Sequence, residues 1–144
     1  MTPLEVRFTV PGIPRPQGSK RAFVVKGRPV LTESAGEPLK DWRATIALAG
    51  ANAMTGLQPF EGPIYGRLTF KMPRPKSHGK KITSPTSRPD IDKLARSVLD
   101  ALTHICFLDD AQLVTLNLTK RWAQPEHSDQ VGVDIHIAKD SNNL

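Results

Sequence analysis

Hydrophobic and polar residues alternate along four segments of the chain, which is the period of a β-strand with one buried face. In the first segment Val6, Phe8 and Val10 alternate with polar residues. The four segments are residues 4–10, 64–72, 114–122 and 131–137. Two shorter strand-like segments flank Lys26-Gly27, which predicts a β-hairpin.

Two other segments repeat hydrophobic residues every three or four positions, as on the buried face of a helix. Ser34 and Glu37 resemble a capping box, and the helix that follows them extends to about Met54. The second helix is predicted from Asp92 to Thr103. The buried positions are expected to be Leu39, Trp42 and Ile46 in the first helix, and Leu94, Val98 and Leu102 in the second.

The order of these elements is strand, hairpin, helix, strand, helix, strand, strand. It predicts a single α+β domain over residues 1–144, with two helices packed on a mixed or largely antiparallel sheet. Residues 73–89 interrupt this pattern with four prolines and several cations, and we expect them to form a mobile basic loop.

The 144 residues suit one domain and contain no apolar run of membrane-spanning length. The N-terminus lacks the basic and apolar regions of a signal peptide. The single cysteine, Cys106, lies between Ile105 and Phe107 and is interpreted as a small buried hydrophobic residue. These features favour a protein of the reducing cytoplasm.

The net charge of +6 suggests a polyanionic partner, and its distribution is uneven. Residues 6–32 contain six basic residues and no acid, and residues 62–89 contain seven and no acid. Two solvated basic loops would explain this, but so would cations that hold a nucleic-acid backbone on either side of an acidic centre.

The acidic centre lies in residues 90–110, which contain five aspartates. Pro89 favours an extended chain before it, and an extended chain would place Asp90 and Asp92 side by side. Asp109 and Asp110 follow the second helix and could fold back towards them. Carboxylates held together favour a hard divalent cation such as Mg²⁺. The alternative is that Asp92 caps the helix and that Asp109-Asp110 is an ordinary polar turn.

The run from Arg88 through Asp90-Ile91-Asp92-Lys93-Leu94 to Asp109-Asp110-Ala111-Gln112 resembles the RusA family of Holliday-junction resolvases, which phages and prophages carry widely. The likeness is specific over about residues 86–122, and the N-terminal loop around Pro14-Arg15-Pro16 and Lys20 resembles that family more loosely. The resemblance implies a Mg²⁺-dependent homodimeric endonuclease, with Mn²⁺ as a plausible substitute, that makes paired nicks in four-way DNA junctions in the cytoplasm of a bacterial host. Apart from the second copy, the sequence indicates no protein partner and no membrane.

Carried over by position, the resemblance implies metal ligation by Asp90, Asp92 and Asp110, with Asp109 beside them, and a catalytic role for Arg96, where the family usually has lysine. Lys93 stands where asparagine is usual. The expected DNA contacts are Arg15, Lys20, Arg21, Lys76, Lys80, Lys81, Arg88 and Lys93. Three alternatives remain: a junction-binding protein without catalysis, a metal nuclease acting on other branched or damaged DNA or on RNA, and a basic structural protein.

Overall fold

The structure is a computed structural model that describes residues 1–18, 20–33, 36–76 and 82–141, with backbone only for residues 20–25 and 29–33. Six strands and two helices follow one another in the predicted order. They are β1 (Glu5–Pro11), β2 (Lys20–Val25), β3 (Arg28–Glu33), α1 (Gly36–Ala53), β4 (Ile64–Met72), α2 (Ile91–Leu102), β5 (Leu113–Trp122) and β6 (Gly132–Lys139).

Four strands form one mixed sheet in the order β1-β6-β4-β5. The pairs β1–β6 and β4–β6 are antiparallel, and β4–β5 is parallel. A parallel pair needs a crossover connection, and here that connection contains α2. The sheet and the two helices confirm the predicted α+β domain.

The hairpin predicted around Lys26-Gly27 is present as β2–β3. Both turn residues have positive φ, 51° at Lys26 and 77° at Gly27, which is the requirement of a tight hairpin turn of the I′ type. Apart from Arg28, the side chains of its two strands lie outside the described residues, as does Ser34 of the predicted capping box.

The core lies between one face of the sheet and the two helices. Leu68, Phe70 and Ile135 of the sheet are fully buried, and α2 contributes Val98 and Leu102. Trp42 of α1 is 5% exposed, as expected of a core residue. Strand residues of the opposite parity, such as Arg67, place polar side chains on the other face.

α2 begins at Ile91 and ends at Leu102, one residue earlier at each end than predicted. The backbone N–H of Leu94 already donates to the carbonyl of Asp90, so the helical hydrogen bonding starts before Asp92. No helix in the described part of the chain has the length and apolar character that crossing a bilayer requires.

Candidate active site

The first two predicted site residues lie at the start of α2. Asp90 precedes the helix with extended backbone (φ −72°, ψ 141°), and its side chain makes no capping hydrogen bond. Asp92 lies inside the first helical turn, so the extended geometry predicted for the pair holds only at Asp90. Asp92 is therefore not the N-cap residue, and both side chains are exposed.

The turn that carries Asp109 and Asp110 is held by one glutamine. The side-chain oxygen of Gln112 accepts hydrogen bonds from the backbone N–H groups of Leu108 (2.8 Å) and Asp109 (2.9 Å). Its side-chain nitrogen donates to the carbonyls of Phe60 (2.9 Å) and Gly62 (3.0 Å). Gln112 thus fixes the turn against the segment that leads into β4.

Asp109 and Asp110 have different roles in this turn. The Asp109 carboxylate accepts a hydrogen bond from the N–H of Ala111 (2.9 Å) and caps the short 3₁₀ helix Asp110–Gln112. The Asp110 carboxylate instead lies 3.7 Å from the guanidinium of Arg96 on α2. Of the two neighbours, Asp110 is therefore the one directed at the helix.

This ion pair places Asp110 beside the face of α2 that carries Asp92, because residues four apart on a helix share a face and Arg96 follows Asp92 by one turn. The two partners are well exposed, 60% for Arg96 and 37% for Asp110. A pair so exposed contributes only about 0–1 kcal/mol, so Asp110 could exchange Arg96 for another cation at little cost.

The donor set suits a hard divalent cation in its chemistry, since Mg²⁺ is typically bound by one or two carboxylates together with water and substrate phosphate. Asp90 is not used as a helix cap, and the contact that the described residues give the Asp110 carboxylate is the weak pair with Arg96. Among residues 1–18, 20–33, 36–76 and 82–141, no three His, Cys, Asp or Glu side chains are grouped closely enough to enclose a metal ion. Metal ligation by Asp90, Asp92 and Asp110 stays a prediction.

The proline-rich loop that follows β1 is docked on α2. The backbone N–H of Gln17 donates to the carbonyl of Lys93 (2.9 Å), and the hydroxyl of Ser97 donates to the carbonyl of Arg15 (2.7 Å). Ser97 itself is completely buried. It fixes the backbone of Arg15 beside the start of α2.

A cavity of about 660 Å³ opens where this loop, the end of the 73–89 loop and the start of α2 meet. Among the described residues of its lining, Asp90 is the one acid. Four cations line it as well: Arg15, Arg88, Lys93 and Lys120. Three of these four are predicted DNA contacts, and the structure places them together around the first candidate metal ligand.

Lys120 is the member of this group that the sequence did not reveal. Its ammonium group donates to the carbonyls of Ser87 and Pro89, each at 2.9 Å. The indole N–H of Trp122 donates to the carbonyl of Ile82 (3.1 Å). The described end of the 73–89 loop is thus bonded to β5 at three carbonyls, while the mobility predicted for the loop stays a prediction.

The remaining predicted DNA contacts are not assembled around this cavity in the described part of the chain. Lys76 is exposed and does not line the cavity. The side chains of Lys20 and Arg21, and all of Lys80 and Lys81, lie outside the described residues.

Lys71, one of the cations of the second basic segment, is only 4% exposed and cannot contact DNA directly. Its ammonium group lies 2.9 Å from Asp134 and 3.6 Å from Asp129. Asp129 also accepts a 2.7 Å hydrogen bond from Arg121, and this bond is the main reason that the pKa of Asp129 falls to about 2. These residues form a network on the sheet face opposite the helices.

Two further residues have a clear environment. Cys106 is fully buried, as predicted, and burial raises the pKa of its thiol to about 12. His136 on β6 lies 2.9 Å from Glu5, and this contact is the main reason that the pKa of Glu5 is lowered.

Cations beside exposed carboxylates on an α+β scaffold are suited to contact with a phosphodiester backbone. The family model of the endodeoxyribonuclease RusA matches residues 11–137. The chain therefore belongs to the RusA family, and this membership implies an endodeoxyribonuclease that acts on branched DNA, the Holliday junction. The chain is also 28% identical over 132 residues to the uncharacterized protein YqaN of Bacillus subtilis (strain 168), covering 83% of this chain and 89% of that protein.

Proposed function

We propose that this protein resolves four-way DNA junctions by divalent-cation-dependent hydrolysis of a phosphodiester bond on each of two strands. The observation that carries the proposal is the contact of Asp110 with Arg96. It brings an acid from beyond the end of α2 to the helix face that carries Asp92, while Asp90 lines a cationic cavity at the start of the same helix.

In this proposal Asp90, Asp92 and Asp110 hold Mg²⁺, or Mn²⁺ in its place. When bound, such a cation supplies Lewis-acid polarisation of the scissile phosphate and lowers the pKa of a water molecule. Arg96 binds a non-bridging phosphate oxygen and stabilises the charge that develops there in the transition state. Because a guanidinium stays protonated, Arg96 acts as an electrostatic group and not as a proton donor.

The cations around the cavity hold the DNA backbone next to the acids. The backbones of Arg15 and Lys93 are held by the hydrogen bonds that dock the N-terminal loop on α2, and the backbone on both sides of Arg88 is held by Lys120. Contacts of this kind make binding fall steeply as the salt concentration rises. A four-way junction has approximate two-fold symmetry, so a two-fold homodimer would place one site on each of two equivalent strands.

The test is to incubate the purified protein with a labelled synthetic four-way junction and with a linear duplex of equal length. Each DNA is treated with Mg²⁺ and with a chelator. We expect paired nicks in the junction only when Mg²⁺ is present, and no cutting of the duplex. The Asp90→Asn variant is expected to bind the junction and fail to cut it.

Three results would contradict the proposal. Tight junction binding without cutting would make the protein a junction-binding protein. Equal cutting of both DNAs would remove the junction selectivity. Undiminished cutting by a folded Asp90→Asn variant would show that the proposed ligand set is wrong.

A further inference from the structure

The cavity beside Asp90 is lined in part by apolar side chains, which phosphate binding does not use. Its lining includes the apolar side chains of Ile13, Met72, Pro85 and Trp122. Met72 and Trp122 are 5% and 7% exposed and line the cavity with small exposed areas, and the guanidinium of Arg74 lies 5.5 Å from the centre of the Trp122 ring. Ile13 is 48% exposed. A phosphate gains nothing from such walls, because its charged oxygens need polar partners.

The walls are fixed in place by hydrogen bonds. Trp122 donates its indole N–H to Ile82, and Lys120 bonds the carbonyls of Ser87 and Pro89. On the opposite side Ser97 holds the carbonyl of Arg15. A cavity built this way can receive a flat apolar group without first having to form.

The cavity volume of about 660 Å³ is within the range of about 300–1,000 Å³ that small-molecule sites occupy. Its polar lining contains four cations and one acid. Apolar walls with a cationic lining match a nucleotide, whose base is flat and largely apolar and whose phosphates are anionic.

We propose that this cavity receives one unstacked base of the DNA, taken from the branch point next to the phosphate that the cations around Asp90 hold. The proposal rests on the proposed function and adds a basis for its selectivity. Removing a base from a stack costs least where stacking and pairing are already disturbed, as at a branch point, and costs more within a continuous duplex. Base binding in the cavity therefore favours the binding of a junction over the binding of a duplex, whatever the base sequence.

The test uses the full chain in chelator, so that binding is measured without cutting. Ile13→Trp places a bulky side chain at the cavity. Leu48→Trp, at a 65% exposed position of α1, is the matched control. We expect Ile13→Trp to weaken junction binding about tenfold and to leave duplex binding unchanged, since stacking on a protein surface is worth roughly that much per base. Leu48→Trp should match the unmodified protein on both DNAs.

Binding to modified junctions identifies the base that enters the cavity. Each branch-point nucleotide is replaced in turn by an abasic site, and for one of them the affinity difference between the unmodified protein and Ile13→Trp should disappear. The same nucleotide replaced by 2-aminopurine should change its fluorescence on binding and resist quenching by acrylamide. The proposal is overturned if the difference persists at every position, or if Ile13→Trp binds the junction normally.

Cutting with Mg²⁺ is measured separately, which keeps the two proposals distinguishable. A protein that cuts junctions but shows no dependence on any branch-point base refutes the cavity proposal alone. A protein that captures the base but never cuts refutes the catalytic proposal alone.

Discussion

The guanidinium of Arg96 and the carboxylate of Asp110 lie 3.7 Å apart, whereas the neighbouring Asp109 carboxylate caps its own turn. This difference gives a matched pair of substitutions. Asp110→Asn should lower the rate of junction cutting by at least about a hundredfold, a typical cost of losing an electrostatic group at a reacting centre. Asp109→Asn should leave the rate close to normal, because asparagine caps a helix as well as aspartate does.

Single-turnover cutting of a labelled junction at saturating protein measures both rates, and binding in chelator verifies that each variant still recognises the DNA. Equal losses in the two variants would mean that Asp110 has no special role.

Gln112 is expected to position Asp110 through its four hydrogen bonds. In Gln112→Glu the carboxylate can still accept from Leu108 and Asp109, but it has no donor for the carbonyls of Phe60 and Gly62. One carboxylate oxygen then faces the two carbonyl oxygens without a hydrogen atom between them, and we expect the protein to lose about 1–3 kcal/mol of stability. We also expect the junction to be cut at least tenfold more slowly. Thermal unfolding and the cutting assay measure the two effects.

The control for Gln112→Glu is Gln58→Glu, which adds the same charge at an exposed position. A Gln112→Glu protein that unfolds and cuts like the control would show that the turn does not depend on this side chain.

Ser97 is expected to control the docking of the N-terminal loop. Ser97→Ala removes the buried hydroxyl that donates to Arg15 and leaves that carbonyl without its side-chain donor. The cost should be about 1–3 kcal/mol of unfolding free energy, together with a several-fold weaker binding of the junction, since Arg15 is less well placed. Thermal unfolding and a binding titration at fixed salt check this.

Thr45→Ala is the matched control for Ser97→Ala, because the Thr45 hydroxyl bonds only within α1 at an exposed position. If both variants bind the junction as the unmodified protein does, the loop is held without Ser97.

The strands and helices were predictable because each buries one face, and a buried face imposes a period on the sequence. The pairing of the strands in the sheet was not predictable, since the alternation of polar and apolar residues within a strand does not show which strands lie beside it. The parallel pairing of β4 with β5 and the central place of β6 come from the structure alone.

The acids around α2 and three of the cavity cations stand out in the sequence as charges, whereas their binding of metal and DNA stays a prediction. The roles of Ser97, Gln112 and Lys120 were not predictable, because each bonds backbone carbonyls far away in the sequence. Every residue has a backbone carbonyl, so the sequence does not show which carbonyl a given side chain will bond. Lys71 illustrates the opposite error, because a cation in a basic segment proves to be buried in an ion-pair network.

Gly50 of α1 packs against the end of α2. A methyl group added there would lie 2.6 Å from Cδ2 of the fully buried Leu102. Alanine ordinarily stabilises a helix interior by about 1 kcal/mol over glycine, but overpacking a core costs about 1–3 kcal/mol. We expect Gly50→Ala to lower the melting temperature, as measured by circular dichroism.

The Leu102→Ala background separates overpacking from helix propensity in Gly50→Ala. It removes the side chain that the added methyl group would overlap, and alanine keeps its higher helix propensity at residue 50. In that background Gly50→Ala should no longer destabilise. An equal loss in both backgrounds would rule out contact with Leu102 as the cause.

Asp129 makes stability depend on pH in the acid range. Its pKa is about 2 in the folded protein, chiefly because Arg121 donates to it, against about 4 in an unfolded chain. A lowered folded pKa stabilises the protein above the unfolded pKa, and this contribution is lost as the pH falls from about 4 to about 2. Asp129→Asn cannot titrate, so the gap in unfolding free energy between it and the unmodified protein should narrow over that interval. Urea unfolding at a series of pH values measures the gap, with the exposed Glu126→Gln of the same loop as control. A gap that stays constant from pH 4 to 2 would mean that the Arg121–Asp129 contact does not set the acid sensitivity.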